Sequence, residues 1–248
     1  RHGVDRILVS LAHGRAYALM YDLSGLRKGQ IALLRDDFNR LLQEKVILDE
    51  EDQASLHHLG KPVVSVWGIG FSDNRPYTLE ECADLVHFLK THPEGPEGNG
   101  FSVMLGLPTH WRELKFDALP DPKLHDIIRM ADIVSPWSVG RYRDGAGARK
   151  LAKNVWTADM AWCEKNKLDF LPVVFPGFSW HNLYPKHPLD QIPRKGGQFL
   201  WDQYMALSKI GAAMVYQAMF DEVDEATAIF KCSNDPPVNG AFLDYEGL

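Results

Sequence analysis

Four carboxylates lie within five residues in the segment Phe220-Asp-Glu-Val-Asp-Glu-Ala-Thr227, directly after an apolar run. Repulsion makes such a group unfavourable unless its members are solvated, protonated or bound to another group. Hydrolysis of a glycosidic bond uses two carboxyl groups, one to protonate the leaving oxygen and one to act as base or nucleophile. Because residues three apart on a tight turn can point the same way, we predict that Glu222 and Glu225 are a catalytic pair.

The same acidic segment is also compatible with a solvated loop or with a cation site. It lacks the EF-hand pattern and its glycine, which disfavours a dedicated calcium loop. A divalent-metal isomerase or hydrolase is a further alternative, and it would use Asp221, Glu222 and His181. The catalytic-pair interpretation needs neither a metal nor a cofactor.

Polar and aromatic side chains also collect after the predicted strands and in the long loop that follows the fifth strand. The carboxyl ends of parallel strands carry the reacting groups in barrel enzymes, and aromatic rings stack on the C–H-rich faces of sugars. These positions therefore predict a cleft that binds a carbohydrate substrate. The predicted substrate-binding residues are Asp22, Trp67, His110, Trp137, Arg141, Trp180, His181, Arg194, Tyr216 and Gln217.

Each of these side chains also has a purely structural interpretation. A tryptophan at a strand end can cap the core, and histidines such as His110 and His181 can be hydrogen-bonded structural groups. Arg141 can pair with a neighbouring aspartate, and Asp22 can cap the turn at Ser24-Gly25. Their convergence at one rim makes the binding interpretation stronger for the group than for any one member.

These positions depend on an alternation of strands and helices. Apolar runs predict strands at residues 16–21, 61–67, 101–106, 132–135, 169–175 and 212–219. Amphipathic spacing predicts helices at 31–45, 78–90, 122–130, 147–166 and 198–210, and Thr78 with Glu81 predicts a capping box at the start of the second. The loop from Phe175 to Gly197 is long and rich in aromatic residues, which predicts a functional segment.

Continuous apolar strands that alternate with helices indicate a parallel sheet covered on its faces. Six such strands fit either a doubly wound sheet or a barrel that lacks some of its strands. Gly68-Ile-Gly70 is the nearest match to a dinucleotide fingerprint and has no third glycine. The prediction is therefore an α/β fold of the (β/α)₈ barrel type, incomplete at its N-terminal side and without its last helix.

Size and composition set further bounds. With 248 residues, the chain has the length of one barrel domain, and we predict a single partial domain over residues 1–248. A net charge of −6 without a basic cluster argues against nucleic acid as a partner. No apolar run reaches the roughly 18 residues of a membrane span. Three distant cysteines, Cys82, Cys163 and Cys232, form no metal or disulfide pattern and are predicted to be buried thiols.

The acidic segment and its surroundings resemble glycoside hydrolase family 99, the endo-α-mannosidase and endo-α-mannanase group, and its distant bacterial relatives. Residues 216–229 are similar to that family's last-strand motif, approximately Tyr-Asn-Glu-Trp-His-Glu-Gly-Thr-x-Ile, with both glutamates, the threonine and the isoleucine matched. Pro176-Gly-Phe178 and Arg194-x-x-Gly197-x-Phe199 resemble two further stretches of the family, and residues 242–247 resemble the segment before its final helix.

The resemblance implies a barrel that cleaves α-linked sugars with retention of configuration. It implies that Glu222 assists the 2-hydroxyl of the sugar in forming a 1,2-anhydro intermediate, and that Glu225 acts first as general acid and then as base. It also implies that the complete barrel begins two strands before Tyr17 and ends with a helix after Leu248. A secreted, periplasmic or cell-surface location is expected, although residues 1–6 contain no signal-peptide core.

The chain departs from the family pattern at two places. Val223-Asp224 replaces the Trp-His between the glutamates, and Leu105–His110 has no counterpart of the family's His-Ile-Glu-Pro-Tyr element. These departures indicate a distant branch, and they keep a second class open, a sugar-binding barrel without turnover.

Overall fold

The computed structural model describes residues 14–47 and 54–230. Cys232 and the family-like segment at 242–247 lie outside the described residues. The chain divides into two compact units. The first comprises Arg1–Pro136 and Cys163–Asp169, and the second comprises Trp137–Trp162 and Phe170–Leu248. A single domain over residues 1–248 stays a prediction.

The first unit is built on a parallel sheet. Its strands are β1 (Leu19–Asp22), β3 (Lys61–Trp67), β4 (Ser102–Leu107) and β5 (Ile133–Pro136), which are adjacent in that order, and the short β2 (His57–His58) pairs with β3 in antiparallel orientation. The strand β6 (Asp169–Phe170) follows β5 in the sheet order. Nearly every residue of β3, β4 and β5 is buried, as expected for a parallel sheet that is covered on both faces.

Three helices of the first unit occupy the predicted places. They are α1 (Ile31–Gln43), α2 (Leu79–Lys90) and α3 (Lys123–Ile128). The predicted capping box of α2 is confirmed: the Thr78 hydroxyl accepts from the Glu81 amide, and the Glu81 carboxylate accepts from the Thr78 amide. Phe38 of α1 makes edge contacts with Phe88 of α2 and with Phe101, so aromatic rings join both helices to the sheet.

The strand register aligns the ends of the sheet. Asp22 is paired with Trp67, Trp67 with Gly106, and Gly106 with Ser135. A Cβ on Gly106 would lie 2.1 Å from Cδ1 of Trp67, so a residue without a side chain is needed where the indole crosses the neighbouring strand. Asp22 and Trp67 therefore lie side by side at the carboxyl end of the sheet.

The second unit contains a long helical stretch and a two-stranded parallel pair. The helical stretch runs through α4 (Gly145–Leu151), a π-helical turn (Ala152–Trp156) and α5 (Thr157–Lys165), the last of which crosses the unit boundary. The strand β7 (Val173–Val174) pairs with β8 (Tyr216–Gln217), and α6 (Gln198–Ile210) lies between them in sequence.

A buried glutamine organises the core of the second unit. The side-chain NH₂ of Gln203 donates to the backbone carbonyls of Phe175 and Phe199. Its side-chain oxygen accepts from the backbone amide of Phe175 and from the Tyr142 hydroxyl. The rings of Tyr142, Phe175 and Phe199 pack around it with centroids 5.2–5.9 Å apart. All the hydrogen-bonding groups of the Gln203 side chain therefore have partners, so its burial leaves no polar atom of that side chain unsatisfied.

Three predicted strands are shorter than the sequence suggested. The first, predicted over 16–21, is β1 (Leu19–Asp22), and the fifth and sixth differ more. The fifth is split into β6 and β7 by Leu171-Pro172, because a proline has no amide hydrogen to continue the ladder. The sixth, predicted over 212–219, is reduced to Tyr216–Gln217, opposite the two residues of β7. The Tyr216 amide still donates to the Pro172 carbonyl, so the pairing extends one residue beyond the named strand.

No helix in the described part of the chain is long and apolar enough to cross a bilayer. Cys82 and Cys163 are buried and unbridged, as predicted for thiols that act as small apolar groups.

Candidate active site

The acidic loop of residues 219–230 follows β8 and is closed by its own backbone. The Glu222 carbonyl accepts from the amides of Thr227 and Ala228, and the Phe220 carbonyl accepts from the amides of Ile229 and Phe230. The buried Thr227 hydroxyl adds a bond to the Glu222 carbonyl at 3.3 Å. The two glutamates are thus held on one tight turn.

Three groups outside the loop fix its position within the second unit. The Arg194 guanidinium donates to the carbonyls of Ala226 and Ala228 at 2.8 and 2.7 Å. The Asn182 side chain donates to the Val223 carbonyl, and the Ser179 amide donates to the Glu225 carbonyl. The long loop after β7 therefore serves as the support of the acidic loop.

Glu225 faces a cleft of about 350 Å³ that lies wholly within the second unit. This is within the volume range of small-molecule sites, about 300–1,000 Å³. Its walls combine aromatic rings with polar and cationic groups. The side chains that matter for a ligand are Trp137, Phe178, Trp180, Arg141, Arg143, Gln191 and Glu225.

Glu225 has the acidity of a general acid. Burial, and after it the nearby carboxylates of Glu222 and Asp224, raise the pKa of Glu225 from the ordinary 4.5 to about 7. A carboxyl group with this pKa is still substantially protonated at neutral pH, when an ordinary glutamate is ionised. It can therefore give a proton to a leaving oxygen at physiological pH.

Glu222 is half-buried on the same turn and is not among the side chains that line the cleft. The negative charge of Glu222 acts on two neighbouring groups. It contributes, after burial, to the raised pKa of Glu225 and to the raised pKa of Tyr216. The two glutamates are thus electrostatically coupled, as paired carboxylates in a site are expected to be.

Three of the predicted substrate-binding residues meet Glu225 in the cleft, namely Trp137, Arg141 and Trp180. The ring of Trp180 packs edge-on against Phe178 at 5.0 Å and next to Tyr184 at 5.7 Å. An aromatic wall of this kind offers flat apolar faces to a sugar ring.

The other four predicted residues of the second unit have contacts outside the cleft lining. His181 contacts the His187 carbonyl through Nδ1, and Arg194 holds the acidic loop. The Tyr216 hydroxyl lies 3.4 Å from the Met219 sulfur, and the side-chain oxygen Oε1 of Gln217 accepts from the Tyr204 hydroxyl.

The remaining three predicted residues belong to the first unit. Asp22 accepts the Ser24 amide, which is the turn-capping role considered for it from the sequence. The Arg75 guanidinium lies over the Trp67 ring, with its Cζ 5.1 Å from the ring centroid. His110 contacts the Glu113 carboxylate through Nδ1 at 3.1 Å.

Sequence reasoning missed Arg143, Phe178 and Gln191 as lining residues. For Arg143 a signal was present, because it lies two residues from the predicted Arg141, with the aromatic Tyr142 between them. Gln191 comes from the far end of the long loop, where the antiparallel bridge between Phe178 and Ile192 brings it back to the cleft. Nothing local in the sequence indicates that return.

Within residues 14–47 and 54–230, no group of three or more histidine, cysteine, aspartate or glutamate side chains is arranged to hold a metal ion. Asp221, Glu222 and His181 do not form such a group in this part of the chain.

Neither a protein-family model nor a curated protein sequence matches the chain. Among solved structures, two of the glycoside hydrolase family 99 endo-α-mannosidase from Bacteroides thetaiotaomicron match with TM-scores of 0.66 over 98% of this chain, at 16% and 17% identity. The second of these is in complex with bis-tris-propane. The chain spans 64% and 67% of the lengths of the two matched chains.

A glycoside hydrolase-like protein also matches, with a TM-score of 0.53 and 13% identity over 90% of this chain and 60% of its own. Together with the parallel strands and intervening helices, these matches confirm the predicted α/β fold of the barrel type. In its fold, the chain is a distant structural relative of the glycoside hydrolase family 99 endo-α-mannosidase over nearly its whole length.

Proposed function

We propose that the chain carries the catalytic carboxylates of a glycoside hydrolase, with Glu225 as its general acid. The observation that carries this proposal is a glutamate of pKa about 7 in a cleft walled by tryptophans. Family 99 enzymes share the fold, and the Glu222/Glu225 spacing resembles their motif.

In the first step, protonated Glu225 gives its proton to the glycosidic oxygen while the bond between that oxygen and C1 breaks. The leaving group departs as an alcohol, and Glu225 is left as a carboxylate. In the second step, this carboxylate takes a proton from the water that attacks C1, which restores the acid form. One residue serves both steps because its pKa lies close to the working pH.

Glu222 supplies the second carboxylate. The resemblance favours a route in which it takes the proton of the sugar 2-hydroxyl while O2 attacks C1, forming a 1,2-anhydro sugar. Water then opens this ring at C1, and Glu222 returns the proton to O2. Two displacements at C1 give net retention. A direct attack of the Glu222 carboxylate on C1 gives the same stereochemistry through a glycosyl ester.

We propose an α-linked oligo- or polysaccharide as substrate, and polysaccharide degradation at a secreted, periplasmic or cell-surface location. The aromatic wall of the cleft and the endo-α-mannosidase fold support this class. A panel of plant, algal and yeast glycans, assayed for new reducing ends, identifies the sugar and the linkage.

The decisive test is the dependence on the leaving group. With Glu225→Gln, hydrolysis of glycosides that have a poor leaving group should fall by about 10²–10⁴-fold, whereas aryl glycosides with acidic phenols should lose much less. The change Asp221→Asn, which removes a carboxylate from the same loop, is the matched control and should retain both activities.

Two results contradict the assignment. If the wild-type chain binds glycans and releases no reducing ends from any of them, it is a sugar-binding barrel without turnover. If Glu225→Gln loses both classes of substrate equally, Glu225 is not the proton donor. Proton NMR of the first-formed product reports retention or inversion independently of either variant.

A further inference from the structure

We propose that the cleft recognises a sugar ring that carries an anionic group, a carboxylate or a sulfate ester, through Arg141 and Arg143. This inference rests on the proposed function and adds the substrate class of the same site. Both arginines line the cleft that Glu225 faces, and both are exposed to solvent.

The cleft lining holds more cationic than acidic side chains. The whole chain carries −6, yet the cleft lining holds two guanidinium groups and a single carboxyl group, Glu225, which is partly neutral near pH 7. Guanidinium groups that line a concave site attract an anionic ligand.

The chemistry of arginine narrows the ligand further. Its planar fork of donors matches the two oxygens of a carboxylate or a sulfate, which it can bind in a bidentate manner. Trp137, Phe178 and Trp180 line the same cleft and provide apolar faces for the ring that carries the anion. The lining therefore combines the two contacts that an acidic sugar requires.

The segment that carries the arginines is fixed before any ligand binds. Tyr142 lies between them and is buried, with its hydroxyl donating to Gln203 at 2.7 Å and its ring packed edge-on against Trp156. At the end of the segment, the Asp144 side chain caps α4 by accepting the Gly147 amide. With Tyr142 anchored inward, the backbone that carries the two exposed arginines is ordered before binding, so only their side chains lose freedom when a ligand binds.

An anionic substrate would also assist the proposed reaction. Its negative charge near Glu225 disfavours ionisation of that carboxyl, so the acid form would persist to higher pH in the complex than in the free protein.

The test is a calorimetric titration of the full chain, with Glu222→Gln introduced to prevent turnover. The probes are oligosaccharides of alginate and pectate, which carry carboxylates, and of carrageenan and fucoidan, which carry sulfate esters. Each is compared with its carboxyl-reduced or desulfated form. We expect at least one acidic form to bind about tenfold more tightly than its neutral counterpart, or about 1.4 kcal/mol. The family of probes that binds distinguishes a uronate from a sulfate ester.

Arg141→Gln and Arg143→Gln should each remove most of this preference and leave the neutral forms unchanged. Arg149→Gln is the matched control: it removes the same charge from an exposed position on α4, where the guanidinium lies 4.0 Å from Asp202, outside the cleft lining. It should bind like the parent chain.

Three outcomes overturn the proposal: no acidic probe binds, acidic and neutral forms bind equally, or the preference survives both cleft substitutions. Failure of the proposed function is seen separately, with the wild-type chain. Hydrolysis of neutral glycans alone refutes the acidic substrate and keeps the glycoside hydrolase. Binding of acidic glycans with no hydrolysis of any glycan refutes the glycoside hydrolase and keeps the acidic ligand.

Discussion

Glu225 titrates near neutral pH because its carboxyl is buried beside two other carboxylates. Below about pH 7 it is an acid that can protonate a leaving group, and above that pH it is a base. Its position on the loop therefore affects both the proposed chemistry and the stability of the fold, and the two effects can be measured separately.

The first prediction concerns stability. A carboxyl whose folded-state pKa is raised to about 7 from 4.5 stabilises the fold fully only below about pH 4.5, and this contribution is lost as the pH rises through about 7. Glu225→Gln should therefore raise the free energy of unfolding at pH 8 by about 1–2 kcal/mol, after allowance for its partial exposure. At pH 4 the gain should vanish. Denaturant unfolding at both pH values measures it, and an equal effect at both would show that Glu225 has an ordinary pKa.

The second prediction concerns the cause of the raised pKa. Glu222→Gln should lower the pKa of Glu225, because Glu222 is the neighbouring carboxylate with the larger effect on that pKa. Asp224→Asn should lower it by less. Asp221→Asn is the control, since Asp221 is not among the causes of the shift. Carbon NMR of labelled glutamate follows the titration directly in all three variants. In Asp224→Asn, which keeps both proposed catalytic glutamates, the basic limb of the pH–rate profile should also move to lower pH, whereas in Asp221→Asn it should not move. An unchanged pKa in all three variants would leave burial as the whole cause.

At the scale of elements, the acidic loop depends on the long loop after β7. Arg194 spans the two, with one nitrogen donating to the carbonyls of Ala226 and Ala228. Gly177 makes room for it, because a Cβ at that position would lie 2.8 Å from Cγ of Arg194. The Pro-Gly-Phe and Arg-x-x-Gly-x-Phe stretches that resemble family 99 thus meet as one support for the acidic loop.

The third prediction tests this support. Arg194→Gln should cost about 1–3 kcal/mol of stability, because two buried carbonyls lose a charged donor. Amides of the loop that are hydrogen-bonded in the structure, those of Thr227, Ala228 and Ile229, should exchange with solvent faster. Lys186→Gln, on an exposed part of the same long loop, is the control and should alter neither. Unchanged exchange in Arg194→Gln would mean that the loop's own hydrogen bonds suffice.

The helices were more predictable from the sequence than the strands. Amphipathic spacing predicts α2 and α6 locally, and α2 begins directly after its predicted cap at Thr78. Strand length depends on a partner elsewhere in the chain, which is why the predicted sixth strand is only Tyr216–Gln217, opposite the short β7. The same reason limits prediction of the site: the glutamates are three residues apart in sequence, whereas the role of Arg194 depends on carbonyls 32 and 34 residues away.

At the scale of the whole molecule, the pH dependence of stability has a second source, in the first unit. His92 is buried among aromatic rings, and its Nδ1 accepts the backbone amide of Glu94 while Nε2 faces the side-chain oxygen Oδ1 of Asn39 at 2.8 Å. This pattern assigns a neutral ring with its hydrogen on Nε2. Burial lowers the pKa of His92, and the Glu94 carboxylate offsets part of that effect.

As the pH falls, the titration of His92 changes the stability of the fold in the direction opposite to that of Glu225. A histidine whose folded-state pKa lies below 6.5 costs stability as the pH falls below 6.5, because the unfolded chain then binds the proton first. The slope for one such group is at most about 1.4 kcal/mol per pH unit. Over the same range Glu225 gains protons and stabilises the fold, so the two groups offset each other in the wild-type chain.

The fourth prediction separates the two groups. In a Glu225→Gln background, stability should fall more steeply between pH 7 and pH 5 than in the wild type, because the opposing titration is absent. Adding His92→Gln should lower the stability at pH 7, because the packing of the imidazole ring is lost. It should also make the fall of stability between pH 7 and pH 5 less steep. Adding His87→Gln instead, at an exposed position of α2, should leave the steep limb in place. Thermal unfolding across this pH range measures all three, and a steep limb that survives His92→Gln would place the acid sensitivity in another group.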